Sequence, residues 1–142
     1  MEAPRSVTKS VVGTLIAIAL QHGILDNVDH PIIDLFSDKR ILNVAGIKKE
    51  MTIQNLLDMT SGIAWHEKAY TPNETIIQMY KSSDPTEFVL DQPMANVPGT
   101  NFYYNSGDGH LSGCVRSIFP FCPTMWSQVI FVEWLDQRPV SV

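Results

Sequence analysis

The uncharged run Val11–Leu20 constrains this chain more than any other stretch. It lies inside a longer helical pattern, from about Ser6 to His22, that Gly23 closes where a C′ glycine belongs. Arg5 and Ser6 stand at the capping positions. Gly13 costs helix stability and admits a close neighbour. A helix apolar nearly all round is expected inside a core rather than on a surface. A bilayer span takes about 20 apolar residues, more than this run offers, so no membrane crossing is expected. The same residues have a second reading. Arg5 and Lys9 precede the run, and Ala17-Ile18-Ala19 has the small-residue spacing of a signal-peptidase site, so the stretch to Ala19 also has the form of a secretory leader. Without that leader the chain would read as cytoplasmic.

Such a helix needs a partner surface, and the composition allows one. The 142 residues are 44% apolar and only 18% charged, which suits one folded domain with a core. Net charge is −5, and the basic residues cluster no further than Lys39-Arg40 and Lys48-Lys49. A nucleic-acid partner is therefore not expected. Cys114 and Cys122 are either one disulfide or two buried thiols. His22, His30, His66 and His110 share no metal-ligand spacing with them, so neither metal nor cofactor is expected.

Further elements follow from turn and cap chemistry. Asp26–Pro31 is a turn, and Pro31 opens a short helix, Ile32–Phe36. Ser37–Glu50 reads as a polar connection with one apolar patch. Thr52 caps a helix from Ile53 to about Thr60, with Ile53, Leu56, Leu57 and Thr60 on one face. Ser61-Gly62 stops it. A third helix starts at Pro72 and runs to about Ser82, and Asp84-Pro85 opens a fourth, Thr86–Leu90. Pro93–Thr100 is loop, and Asn105–Gly109 reads as turn. Val129–Leu135 is a strand or a short buried helix. Trp65 and Tyr70 read as core aromatics, with a place in a substrate pocket as the alternative. Asp58 and Met59 read as loop architecture.

The chemistry begins at Ser6-Val7-Thr8-Lys9. On a helix, residues three apart share a face, with Cβ atoms about 5–6 Å from each other. The Lys9 amine is thus within reach of the Ser6 hydroxyl. A serine is a weak nucleophile and needs a base, which a lysine in apolar surroundings can supply. The first turn of a helix also favours developing negative charge. The competing reading is a capped helix with a lysine reaching to solvent.

Four blocks in order carry a family resemblance. Ser6-Val7-Thr8-Lys9-Ser10 before the apolar helix resembles the nucleophile helix of the serine β-lactamase and penicillin-binding-protein-like hydrolases. Gly23–Pro31 resembles the segment that follows it. Thr52-Ile53-Gln54-Asn55-Leu56-Leu57-Asp58-Met59-Thr60-Ser61-Gly62-Ile63 is similar to the family's T-I-x-x-L-L-x-x-T-S-G-L stretch. Pro98–Gly107 resembles its P-G-x-x-x-x-Y-x-[NS] block. The wording Tyr-Asn-Ser-Gly-Asp, with Ser61–Trp65, is most similar to amide and ester hydrolases such as the aminohexanoate-oligomer hydrolases.

The resemblance implies a two-step acyl transfer on a small-molecule amide or ester. Ser6 is the implied nucleophile and Lys9 its base. A tyrosine shares the proton work, and a polar third member binds substrate. Two registers stay open: Tyr103 with Asn105, or Tyr104 with Ser106, which the count from Pro98-Gly99 favours. Family members also carry strands on both sides of these blocks, one bearing a Lys-Thr-Gly or His-x-Gly motif that is not written here. The expected fold is therefore mainly α with irregular loops, the helical subdomain of the α+β β-lactamase/transpeptidase-like fold with most of the antiparallel sheet missing. Residues 1–112 are assigned to this partial domain and 113–142 to an unassigned tail. A fragment of this kind is expected to have impaired activity. The alternative is a non-catalytic helical module that binds a partner or forms homo-oligomers through its apolar helix.

Overall fold

A computed structural model describes residues 6–44, 46–69 and 71–115. The expectations for Arg5, Tyr70, Cys122 and Val129–Leu135 lie outside the described residues.

The N-terminal pattern folds as helix α1, Val7–Gln21. Its end is a Schellman closure. Gly23 adopts φ +64°, its amide donates to Leu20 O at 3.1 Å, and the Ile24 amide donates to Ala19 O at 2.9 Å. These bonds satisfy carbonyls that a helix end leaves open. Thr8, Val12, Leu15, Ile16 and Ala19 form the buried face. The opposite side corrects the sequence expectation. Val7, Val11 and Ile18 are 64%, 42% and 40% exposed. The helix is apolar all round, yet it buries only the stripe that meets its neighbours.

Short elements fill the middle of the chain. Ile32–Phe36 is a 3₁₀ turn, fastened by the Ile32 amide to Met51 O at 2.8 Å. A second 3₁₀ turn, Gly46–Glu50, occupies what reads in sequence as connection. Within it Lys48 is fully buried and donates to the carbonyls of Leu90 and Gln92, each at 2.6 Å. Burial pushes its ammonium pKa down, against the pull of Asp91. The side chain thus donates to two carbonyls at the C-terminal end of the Pro85–Asp91 helix, where a helix leaves its last carbonyls open.

Helix α2, Ile53–Leu57, starts with a capping box between Thr52 and Asn55 and ends sooner than Thr60. Ile53 and Leu56 face the core. Helix α3 spans Thr75–Lys81, so Pro72 lies before it rather than at its first position. Glu74 explains the late start. Its buried carboxylate accepts from the amides of Lys68 and Ala69 at 3.1 and 2.8 Å and so holds the preceding loop. Helix α4, Pro85–Asp91, is capped by Asp84, which accepts from the Glu87 amide.

The largest departure is helix α5, Ser106–Cys114, where the sequence reads as turn. The Asn105 side chain caps it by accepting from the Asp108 amide at 3.2 Å. Helix α5 packs against α1, α2, α3 and α4 in turn. Leu111 and Val115 are buried beneath it. Its glycines allow that central place, because each neighbour comes close to its backbone. Among the described residues there is no strand, and isolated bridges join Pro31 to Thr52 and Ile63 to Met94. The architecture is mainly helical. No described helix is long and apolar enough to cross a membrane.

Candidate active site

Ser6 is the residue just before α1. Its backbone is already helical, and its side chain makes no capping bond. This removes the reading in which Ser6 merely caps the helix. The hydroxyl instead lies 2.5 Å from the Tyr104 Oη. The Lys9 ammonium sits 5.1 Å from the centre of the Tyr104 ring. One turn of helix thus presents serine and lysine together, and a residue far along the chain is brought to both. Tyr104, not Tyr103, is the tyrosine at Ser6.

Electrostatics act on that tyrosine in opposing ways. Burial pushes the Tyr104 phenol up. The Ser6 hydroxyl and then the Lys9 ammonium favour the phenolate, and the net pKa is below the ordinary tyrosine value despite the opposing charge of Glu67. A phenol so tuned exchanges protons with a neighbouring hydroxyl at lower pH than a free one.

The segment that carries Tyr104 is hung on residues 59–64. The Tyr103 amide donates to Met59 O at 2.9 Å, Gly99 to Thr60 O at 2.8 Å, and Ala95 to Gly62 O at 2.8 Å. Two left-handed residues shape the support. Met59 has φ +56°, and Gly62 has φ +79°. A Cβ on Gly62 would come within 2.3 Å of Asn96 O, so only glycine fits there. The backbone of Met59 and Gly62 thus shapes the loop that supports Tyr104.

Ser106 is engaged by Glu67. Its Oγ donates to Glu67 at 2.7 Å, and its amide donates to the same carboxylate at 2.9 Å. The Trp65 indole N–H also donates to Glu67, at 2.8 Å. Glu67 therefore ties Trp65 to the start of α5. The local sequence does not signal the tie to α5, because Ser106 lies 39 positions away. Trp65 is buried in the core, and its ring lies within 3 Å of where a Gly107 Cβ would stand.

Beside these residues is a pocket of about 200 Å³, lined among others by Met59, Ser61, Trp65, Asn96, Tyr103 and Asn105. Tyr103 and Asn105 line this pocket, while Tyr104 is the tyrosine bonded to Ser6. The histidines contribute elsewhere. His110 Nε2 lies 3.0 Å from Thr86 Oγ1 and 3.5 Å from Cys114 Sγ, and His66 Nδ1 lies 3.7 Å from Glu74. Among the described residues no three His, Cys, Asp or Glu are grouped to hold a metal ion.

A hydroxyl, a phenol with a lowered pKa and an ammonium within a few ångströms can move a proton off the serine. Comparison with curated proteins gives no match. A family model described as Beta-lactamase matches residues 5–121.

Proposed function

The chain belongs to the β-lactamase family, and on that premise we propose that it forms an acyl-enzyme on Ser6 from a small amide or ester. The observation that carries the reading is the Ser6–Tyr104 hydroxyl contact beside Lys9. Ser6 Oγ attacks the substrate carbonyl carbon as its proton passes to the Lys9–Tyr104 pair. The ammonium steadies negative charge on the phenol oxygen. The first amides of a helix have no partner within it, and those at the start of α1 are the proposed donors to the developing oxyanion. Tyr104 then returns the proton to the leaving nitrogen or oxygen as the C–N or C–O bond breaks. Water attacks the acyl-enzyme by the same proton path in reverse and frees the acid. Such proton transfer contributes about 10²–10⁴-fold in rate.

Amides and esters are preferred to β-lactams because the Tyr104–Asp108 wording is similar to that of aminohexanoate-oligomer hydrolases. Residues 1–142 alone are proposed to turn over slowly. They contain no Lys-Thr-Gly segment to supply a further oxyanion donor, and loss of one donor costs about 10²–10³ in rate. The exposed apolar residues Val7, Val11 and Ile18 favour a second reading, a non-catalytic module that self-associates through this face.

Incubation with a fluorophosphonate, followed by peptide mapping by mass spectrometry, separates the two. The hydrolase reading expects one adduct, on Ser6, that disappears in Lys9→Ala. A folded, soluble chain left unlabelled would favour the non-catalytic module.

A further inference from the structure

Asp108 is fully buried, and among the described residues neither of its carboxyl oxygens has a partner in full hydrogen-bond geometry. Few polar groups in folded proteins are left so, because burial of an unsatisfied carboxyl is costly. The residue is not needed as a cap, since Asn105 already holds the Asp108 amide. Its backbone carbonyl is also occupied, by the Ser112 hydroxyl at 2.8 Å. An apolar side chain of like size would fill the space without an ionisable group. What a carboxyl adds at this position is its charge.

The charge within its range is that of Lys9. The Lys9 side chain runs across the backbone of the next residue, Gly109. A Cβ there would stand 2.8 Å from Lys9 Cε and 3.2 Å from Lys9 Cγ. Lys9 therefore lies against α5 on the turn that carries Asp108, and its ammonium acts on the Asp108 carboxyl in favour of the ionised form. The Ser61 hydroxyl and amide also favour the ionised carboxyl, more strongly than Lys9 does, although neither reaches it with full hydrogen-bond geometry. Acidic groups on the other elements around α5 are engaged elsewhere. Asp58 beside α2 accepts from Gln54, Glu74 before α3 holds the 68–69 amides, and Asp84 before α4 pairs with Lys39. Glu67 acts on Tyr104.

We propose that Asp108 is a positioning residue whose buried carboxylate is the counter-charge that holds the Lys9 ammonium against α5, beside Tyr104 and Ser6. The role of Lys9 rests on the serine-hydrolase reading, but the coupling of Asp108 to Lys9 does not. Burial pushes the Asp108 pKa up to about 7, with Ser61 and Lys9 pulling against it. The counter-charge is therefore present above neutral pH and lost below it. The face and hydroxyl of Tyr104 remain in contact with Lys9.

Carbon-13 NMR of the 142-residue chain, labelled at aspartate carboxyls and assigned with Asp108→Asn, reads the coupling directly. Lys9→Met removes the cation and is expected to raise the Asp108 midpoint by about one pH unit, a typical effect of a nearby opposite charge. Lys9→Arg keeps the cation and is expected to restore most of the difference. An Asp108 midpoint unmoved in Lys9→Met, or moved equally in both variants, would overturn the proposal. In parallel, Asp108→Asn is expected to label at Ser6 about tenfold more slowly with fluorophosphonate, the rate equivalent of one pKa unit of lost interaction. If the unsubstituted chain does not label at Ser6 at all, the hydrolase reading fails while the NMR midpoints still decide the role of Asp108.

Discussion

Ser6, Lys9 and Tyr104 lie together, the proposed reaction uses them as one proton-handling unit, and each depends on a different kind of neighbour. Ser6 depends on helix geometry, Lys9 on the bare backbone of Gly109, and Tyr104 on the loop bonds to residues 59–64. Asp108 differs in kind, because its position costs stability. Its carboxyl moves from 3.8 to about 7 on folding, so between those values the folded chain keeps a proton that the unfolded chain has lost. Stability then falls as pH rises from about 4 to 7 and stays low above it. The full loss from a shift of this size is up to roughly 4 kcal/mol. Asp108→Asn carries no such proton. It is expected to unfold at higher temperature than the unsubstituted chain at pH 8, with the advantage gone near pH 4. Equal pH dependence of the two unfolding curves would contradict this. The serine and lysine were legible in sequence because their spacing is local. Glu67 and Asp108 were not, because their importance comes from long-range burial and contact.

At the scale of elements, caps and prolines were the readable signals. The Thr52 capping box, the Asp84-Pro85 start and the Gly23 stop all stand where their chemistry puts them. Helix α5 was hidden by its own composition. Gly107, Gly109 and Gly113 lower helix propensity, yet Gly107 lets Trp65 and Gly109 lets Lys9 of α1 approach the α5 backbone. Packing overrides propensity here. Two substitutions test this and should differ. Gly107→Ala drives a methyl to 2.8 Å from the Trp65 ring and 2.9 Å from Asn105 Oδ1. Neither neighbour yields easily, so a loss of about 1–3 kcal/mol is expected in denaturant unfolding. Gly109→Ala meets only the flexible chain of Lys9, and alanine gains helix propensity over glycine by about 1 kcal/mol. Its stability should change little, but Ser6 labelling should slow as Lys9 is displaced. A Gly109→Ala chain that labels at the original rate would separate Lys9 from the chemistry.

Across the whole molecule, the apolar helix that opens the sequence buries one face and leaves another in solvent. The Val12, Leu15, Ile16 and Ala19 stripe meets the core, while Val7, Val11 and Ile18 do not. Composition alone could not make that distinction, since both faces are written in the same residues. The family match over residues 5–121 spans all four blocks, and the fold brings the first and last of them together at Ser6 and Tyr104. The central claim is that this junction makes a covalent bond to an acyl group. Intact-mass and peptide mass spectrometry after mixing the chain with p-nitrophenyl acetate tests it most directly. The account predicts one acetyl group, on Ser6, formed faster as pH rises towards the lowered Tyr104 pKa and absent in Ser6→Ala. An unmodified folded chain, or equal acetylation of Ser6→Ala, would contradict it.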